Sequence, residues 1–336
     1  MAQKNPRSLV KSVDSKINIR LQTLIRSWPQ TLAGDFSDYC LRLHRADACQ
    51  AESSATGCPY PYWILLPLWL ESKYQAAPQK SAETFFADVL WAEYCLFLSL
   101  RLQDDIFDLQ TDKFSLLFAA NLVFLEAEDV LSRYFDCSSE FWTTFRQCQR
   151  QSSCAIAENA NLHQSLQRSP GKLLAGYAKV ASIFDIGLAA ICIFCERQDD
   201  LPHLTKFSAA MAIAGQIIDD LEDIEEDLNG GKYNYAVQRL LRQCNTNTID
   251  PETILAIVGK EMLLSEGLSA LCGEIRRHLT LAEKAIKPLG LPEAVRMVQW
   301  YKMGMDQMQE RLLIGRVDWI FKKYGINCQT NIRILN

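Results

Sequence analysis

The sequence predicts an all-α protein. Apolar residues recur at helical spacing along most of the chain, strand-type alternation is hard to find, and Gly and Pro collect at a few joints. Residues 1–30 carry Lys4, Arg7, Lys11, Lys16, Arg20 and Arg26 against a single acid, Asp14, and read as a basic amphipathic first helix covering the body of the protein. Ser81, after Pro78 and before Glu83, opens a helix over about 81–110. Further helices are expected over 113–135, 138–167 (ending before Ser169-Pro170-Gly171), 172–195, 205–228 (ended by Asn229-Gly230-Gly231), 234–243, 251–285 and 292–324.

The 336 residues are 49% apolar and 22% charged, which fits a packed globular protein. No Pro/Gly/Ser-rich linker divides the chain, so one domain over 56–336 is expected, with a basic helical segment 1–55 packed on it. The net charge of −5 argues against nucleic acid as a partner. No run of about 18 consecutive apolar residues appears, so no membrane span is expected, and the N-terminus lacks the apolar core of a secretory signal. The twelve cysteines are scattered and read as reduced thiols in a cytoplasmic protein, the Cys192-x-x-Cys195 pair included.

Two aspartate clusters carry the chemistry: Gln103-Asp104-Asp105-Ile106-Phe107-Asp108, and Gln216-Ile217-Ile218-Asp219-Asp220-Leu221-Glu222-Asp223. On a helix, residues four apart share a face, so Asp104 stacks with Asp108 and Asp219 with Asp223. Such a stack repels itself unless a cation or proton sits between its members. Mg²⁺ suits it, because it prefers carboxylate oxygens and leaves positions open for phosphates. Two stacks facing each other would hold a diphosphate through metal ions. Acidic runs are often plain solvated faces, and Asp199-Asp200 reads as one. The other two clusters differ in following long apolar runs, 90–102 and 209–218.

A diphosphate also needs direct cations. Lys179 sits in an apolar helical stretch, where a lone Lys calls for an anionic partner. Lys232 follows the second cluster in Gly230-Gly231-Lys232, placed to close over a phosphate. His44, His163, His203 and His278 are isolated, and no zinc spacing, nucleophile elbow, Walker loop or dinucleotide fingerprint is present.

With these residues the chain resembles the trans-isoprenyl diphosphate synthase and class I terpene synthase superfamily. Asp104 to Asp108 is similar to the first aspartate-rich motif of that family and Gln216 to Asp223 to the second; Lys179 falls at its Lys-Thr motif, with Val180 in place of Thr. The resemblance implies an isoprenoid synthase-type bundle around a deep apolar pocket. It implies three Mg²⁺ ions, with Asp104, Asp108, Asp219 and Asp223 as ligands and Asp105 and Asp220 completing the catalytic acids. Lys179, Lys232 and Gln216 would bind an isoprenyl diphosphate, with Ser99 and Leu100 in the pocket floor, where the absence of an aromatic points to a geranylgeranyl or geranylfarnesyl chain. A homodimer is in keeping with the family.

Two departures separate the chain from elongating members. Their Gly-Gly-Lys-Arg-x-Arg-Pro segment is matched by Gly57-Cys58-Pro59-Tyr60-Pro61-Tyr62-Trp63, and their Arg-Arg-Gly by Leu109-Gln110-Thr111-Asp112-Lys113. The cations for a second diphosphate are missing. The expected activity is therefore terpene synthesis, with Tyr60, Tyr62, Trp63, Phe97, Phe184 and Trp300 as candidate cation-stabilising aromatics. Alternatives are a prenyltransferase, elongating or using a non-diphosphate acceptor, and a non-catalytic partner subunit of a prenyl synthase.

Overall fold

The structure, a computed structural model, describes residues 6–53, 61–74, 82–107, 110–164, 169–241, 253–254, 257–259, 261 and 267–323. Among these every regular element is helical: α1 (Pro6–Ile25), α2 (Gln30–Ser53), α3 (Tyr62–Tyr74), α4 (Ala82–Phe107), α5 (Leu116–Ser132), α6 (Glu140–His163), α7 (Pro170–Val180), α8 (Asp185–Phe194), α9 (Leu201–Glu222), α10 (Ile224–Asn229), α11 (Tyr235–Leu241), α12 (Gly267–Ile286) and α13 (Pro292–Lys323). By internal packing the chain divides into two units, residues 1–50 with 77–139, and residues 51–76 with 140–336.

The first unit is built on α4 against α5. Phe85, Val89, Leu96 and Leu102 of α4 are fully buried or nearly so, and α5 offers Ala119, Ala120, Val123 and Ala127 at helical spacing. The small residues of α5 let the two backbones approach closely. Arg20 of α1 forms an ion pair with the buried Asp88 of α4, which also accepts the Tyr134 hydroxyl at 2.6 Å. On the outer side of α5 and just before it, Phe114, Leu117, Phe118 and Leu125 are exposed.

The second unit is built on α9 against α12. Phe207, Ala210, Met211, Ala214, Ile217, Ile218 and Leu221 follow the i, i+3, i+4 rhythm of a buried helix face, and α12 answers with Leu268, Leu271, Cys272, Ile275, Leu279 and Ala282. Each fully buried large side chain contributes about 2 kcal/mol of hydrophobic stabilisation. Helix α7 lies close on α6, where a Cβ at Gly176 would stand 1.9 Å from Asn159 Oδ1, so a side chain there would displace the Asn159 amide.

The expected single helix over 172–195 is two helices joined by a 3₁₀ turn at Ala181–Phe184. No Gly or Pro marks that break. It is held by hydroxyls: Ser152 of α6 donates to Val180 O at 2.9 Å, and Ser182 donates to Lys179 O at 2.7 Å. By length and composition, Pro170–Phe194 is apolar enough to cross a membrane, with a mean hydropathy of 1.7; 61% of that window is buried inside the protein, against α6 and α9, as a core segment is. The expected helix over 205–228 begins at Leu201 and breaks at Asp223 into α9 and α10.

The described cysteines, Cys192 and Cys195 among them, are free thiols, and burial raises the Cys192 pKa to about 12. Asp200, one of the acids read as a bland pair, accepts the Tyr74 hydroxyl at 2.5 Å and pairs with Lys73 at 3.6 Å. It has a structural partner set within its own unit.

Candidate active site

Both aspartate clusters fall in the closing turns of long helices. Helix α4 ends through Asp104-Asp105-Ile106-Phe107 and α9 through Asp219-Asp220-Leu221-Glu222, and neither has a basic residue in its last turn. The C-terminal end of a helix carries the negative pole of the peptide dipoles, so carboxylates there are disfavoured by about 0.3–1 kcal/mol each unless a cation joins them.

In the first unit Asp104 is half-buried and Asp105 buried; Asp108 lies outside the described residues. Asp105 Oδ2 accepts the Tyr39 hydroxyl of α2 at 2.9 Å, and its Oδ1 lies 3.0 Å from Arg101 Nε. Burial works against the Arg101 charge, but Asp105, Tyr39 and Asp104 outweigh it and raise the Arg101 pKa. Asp105 is thus engaged by Tyr39 and Arg101. Ser99 is buried and receives a 3.5 Å hydrogen bond from Gln103, while Leu100 is half-buried. Lys113, the one cation of the segment after this cluster, is matched with Asp35 at 2.6 Å.

In the second unit Asp219 and Asp223 are exposed, and the Asp223 N–H still donates to Asp219 O at 2.9 Å, so the two stay one helical turn apart across the break. Burial and the nearby Glu226 raise the Asp223 pKa; burial likewise raises that of Asp227, with Asp223 and Glu226 adding to it and Asn234 and Lys232 opposing. This is a crowd of like charges made of hard oxygen donors.

Asp220, expected among the catalytic acids, is only 3% exposed and is fully engaged. Its Oδ2 accepts the Tyr177 hydroxyl and the Tyr235 N–H, each at 2.9 Å, and its Oδ1 accepts Gln216 Nε2 at 3.2 Å. Burial nevertheless pushes its pKa up to about 7. The Tyr177 oxygen also lies 3.3 Å from His163 Nε2; with the phenol hydrogen committed to Asp220, the ring is the donor of that bond.

Asn234, which the sequence did not single out, ties this region together. Its Nδ2 donates to Asp220 O at 2.9 Å and to Asp227 Oδ2 at 2.7 Å, and its Oδ1 caps α11 by accepting the Val237 N–H at 2.9 Å. An Asn at the first position of the expected helix 234–243 was the available signal.

Lys232 leaves α10 through a Schellman turn: the Gly231 N–H reaches Leu228 O at 3.1 Å and the Lys232 N–H reaches Asp227 O at 2.7 Å, with Gly231 at φ 72°. The expectation that Lys179 is buried in an apolar helix is corrected. Leu173, Gly176 and Tyr177 make the buried face of α7, and Lys172, Ala175 and Lys179 the exposed one, so the Lys179 side chain is open to solvent. It lines a groove with residues of α6.

Of the candidate aromatics, Trp63 stacks on Phe184 with centroids 4.9 Å apart and an 8° interplanar angle, and Tyr62 meets Phe184 and Phe207 edge-on at 6.4 and 6.1 Å. Trp300 is 40% exposed on α13, and Phe97 packs near Tyr94 in the first unit. Tyr60 and residues 57–59 lie outside the described residues.

Compared with solved structures, the chain is similar to a decaprenyl diphosphate synthase from Rhodobacter capsulatus (TM-score 0.64, 14% identity, 91% of this chain and 98% of that one). It is also similar to a polyprenyl synthase from Roseobacter denitrificans (TM-score 0.66, 13% identity, 90% and 97%). A third likeness is a geranylgeranyl pyrophosphate synthase from Corynebacterium glutamicum (TM-score 0.63, 15% identity, 92% and 95%). No protein-family model matches the chain, and no curated protein matches it in sequence. The fold is that of the polyprenyl diphosphate synthases.

Proposed function

We propose that the protein is a Mg²⁺-dependent class I terpene synthase, which ionises a geranylgeranyl or geranylfarnesyl diphosphate to a terpene hydrocarbon or alcohol plus diphosphate. The observation that carries the reading is the pair of aspartate clusters closing α4 and α9 against the helix dipoles, within a polyprenyl synthase fold.

Among the described residues no three metal-ligating side chains converge on one point. Mg²⁺ does not require that, since it is usually bound by one or two carboxylates together with waters and substrate phosphates. The exposed carboxylates of Asp219 and Asp223, one helical turn apart, are hard oxygen donors of the kind such an ion takes. In this reading Asp104 and Asp108 would hold two Mg²⁺ ions and Asp219 and Asp223 a third, and the metal would neutralise charge developing on the leaving diphosphate. Asp105 and Asp220 position those ligands through Tyr39, Arg101, Tyr177 and Gln216, while Lys179 and Lys232 contact phosphate oxygens. The allylic C–O bond breaks with its electron pair on the diphosphate, and a proton lost from the cation returns to that diphosphate. In this reading 56–336 is the catalytic domain and 1–55 packs on it, through Arg20 to Asp88 and Tyr39 to Asp105. The exposed apolar strip of Phe114, Leu117, Phe118 and Leu125 supports a homodimer, which light scattering checks.

The names of the similar structures favour a second reading, prenyl transfer. Against elongation stands the pairing of Lys113 with Asp35, which leaves no free cation in the described residues just after the first cluster. One product analysis separates the readings. Incubation with an allylic diphosphate and labelled isopentenyl diphosphate should give extractable hydrocarbon or alcohol from the allylic substrate alone. A longer labelled diphosphate would establish the transferase instead.

A further inference from the structure

Helices α6 and α7 enclose a groove of about 560 Å³ whose lining includes Arg146, Arg150, Gln147, Gln151, Glu158 and Lys179. That volume is in the range of small-ligand sites. Arg146 and Arg150 are four residues apart, so their side chains stack on one face of α6, an arrangement that like charges disfavour. Lys179 adds a third cation from α7. All three are exposed, and none has a carboxylate partner among the described residues. The one acid of the lining, Glu158, lies eight residues beyond Arg150, about 12 Å along the helix axis.

We propose that this groove binds a diphosphate group directly, without a metal ion. Two guanidinium forks present parallel N–H donors that match phosphate oxygens, and the charge-assisted bonds are about twice as strong as neutral ones. The Gln147 and Gln151 amides supply neutral donors on the same face, and Lys179 closes the groove from α7. Three cations against one carboxylate leave the lining two charges positive, opposite in sign to a diphosphate. Lys179 is shared with the proposed active site, so the inference deepens that reading by adding Arg146 and Arg150 to the recognition of the phosphate head group.

The test is calorimetric titration of inorganic diphosphate into the full chain with a chelator present, so that the metal-binding aspartates contribute nothing. Arg146→Gln with Arg150→Gln should weaken binding at least about 100-fold, tenfold per arginine, while Lys172→Gln, on exposed α7 outside the groove, leaves it unchanged. Equal binding by the double variant and the parent, or no binding by the parent, overturns the proposal. A geranylgeranyl diphosphate arm distinguishes the source: tighter binding than free diphosphate identifies a substrate head group, equal binding a released product, and the double variant must weaken both. Circular dichroism verifies that the variants are folded. Failure of the product analysis would reject the terpene synthase reading and leave this metal-free measurement standing.

Discussion

Tyr177 of α7 donates its phenolic hydrogen to Asp220 of α9 across 2.9 Å, joining the helix that carries Lys179 to the helix that carries the second aspartate cluster. Asp220 is buried, so that bond replaces one that water would otherwise supply. Tyr177→Phe should destabilise the fold by about 1–3 kcal/mol, because a buried acceptor is left short of a donor. Urea denaturation measures the loss, and an unchanged midpoint would show that Asp220 is satisfied without the phenol.

Asp104→Ala and Asp219→Ala should each abolish turnover at saturating Mg²⁺. In metal-free buffer the same variants should be as stable as the parent or more stable by up to about 1 kcal/mol, since each removes an acid from a helix C-terminus. Thermal unfolding and activity assays on the same samples check both halves, and full activity in both variants would end the metal reading.

Asp185, at the start of α8, has a buried Oδ1 with no hydrogen-bond partner, and burial raises its pKa to about 7, Ser208 opposing the shift. An unfolded carboxyl releases its proton near pH 4. As pH rises from about 4 to 7 the folded state therefore binds the proton more than the unfolded state does, and stability falls. Asp185→Asn removes that penalty. It should stabilise the protein by on the order of 2 kcal/mol at pH 8 and by almost nothing at pH 4. Denaturation curves at the two pH values check this, and an equal effect at both would place the cause in packing.

Ser99 is buried one turn before Asp104–Asp105, and in the proposed reading it belongs to the floor of the substrate pocket. Each isoprene unit adds apolar area worth about 25 cal/mol per Å² when buried, so an open floor rewards length. Ser99→Phe should shift the preferred substrate towards shorter chains, read from kcat/KM across geranyl, farnesyl and geranylgeranyl diphosphates. An unchanged length profile would place the floor elsewhere.

The helices and the two acidic clusters were legible because both are local patterns: a 3.6-residue rhythm, and carboxylates at i and i+4. The breaks at Ala181–Phe184 and at Asp223 were not, since neither contains Gly or Pro. The first is held by Ser152, a residue almost thirty positions away on α6. The division between Asp219 and Asp220 was hidden for a related reason. One is exposed and the other is spent on Tyr177 and Tyr235, partners that only the packed helices bring near. Lys179 was misjudged because average hydropathy says nothing of which face of a helix a residue occupies.

The apolar run Pro170–Phe194 has a consequence during synthesis. Its shelter comes from α6, already made, and from α9, which begins at Leu201. A chain halted between these points displays a segment with the length and composition of a membrane insert while lacking half of its cover. The stretch from residue 195 to the end of α9 at Glu222 is then the interval over which the nascent chain depends on chaperones to stay out of lipid, and truncations ending before α9 should partition into membranes or aggregates where the full chain does not.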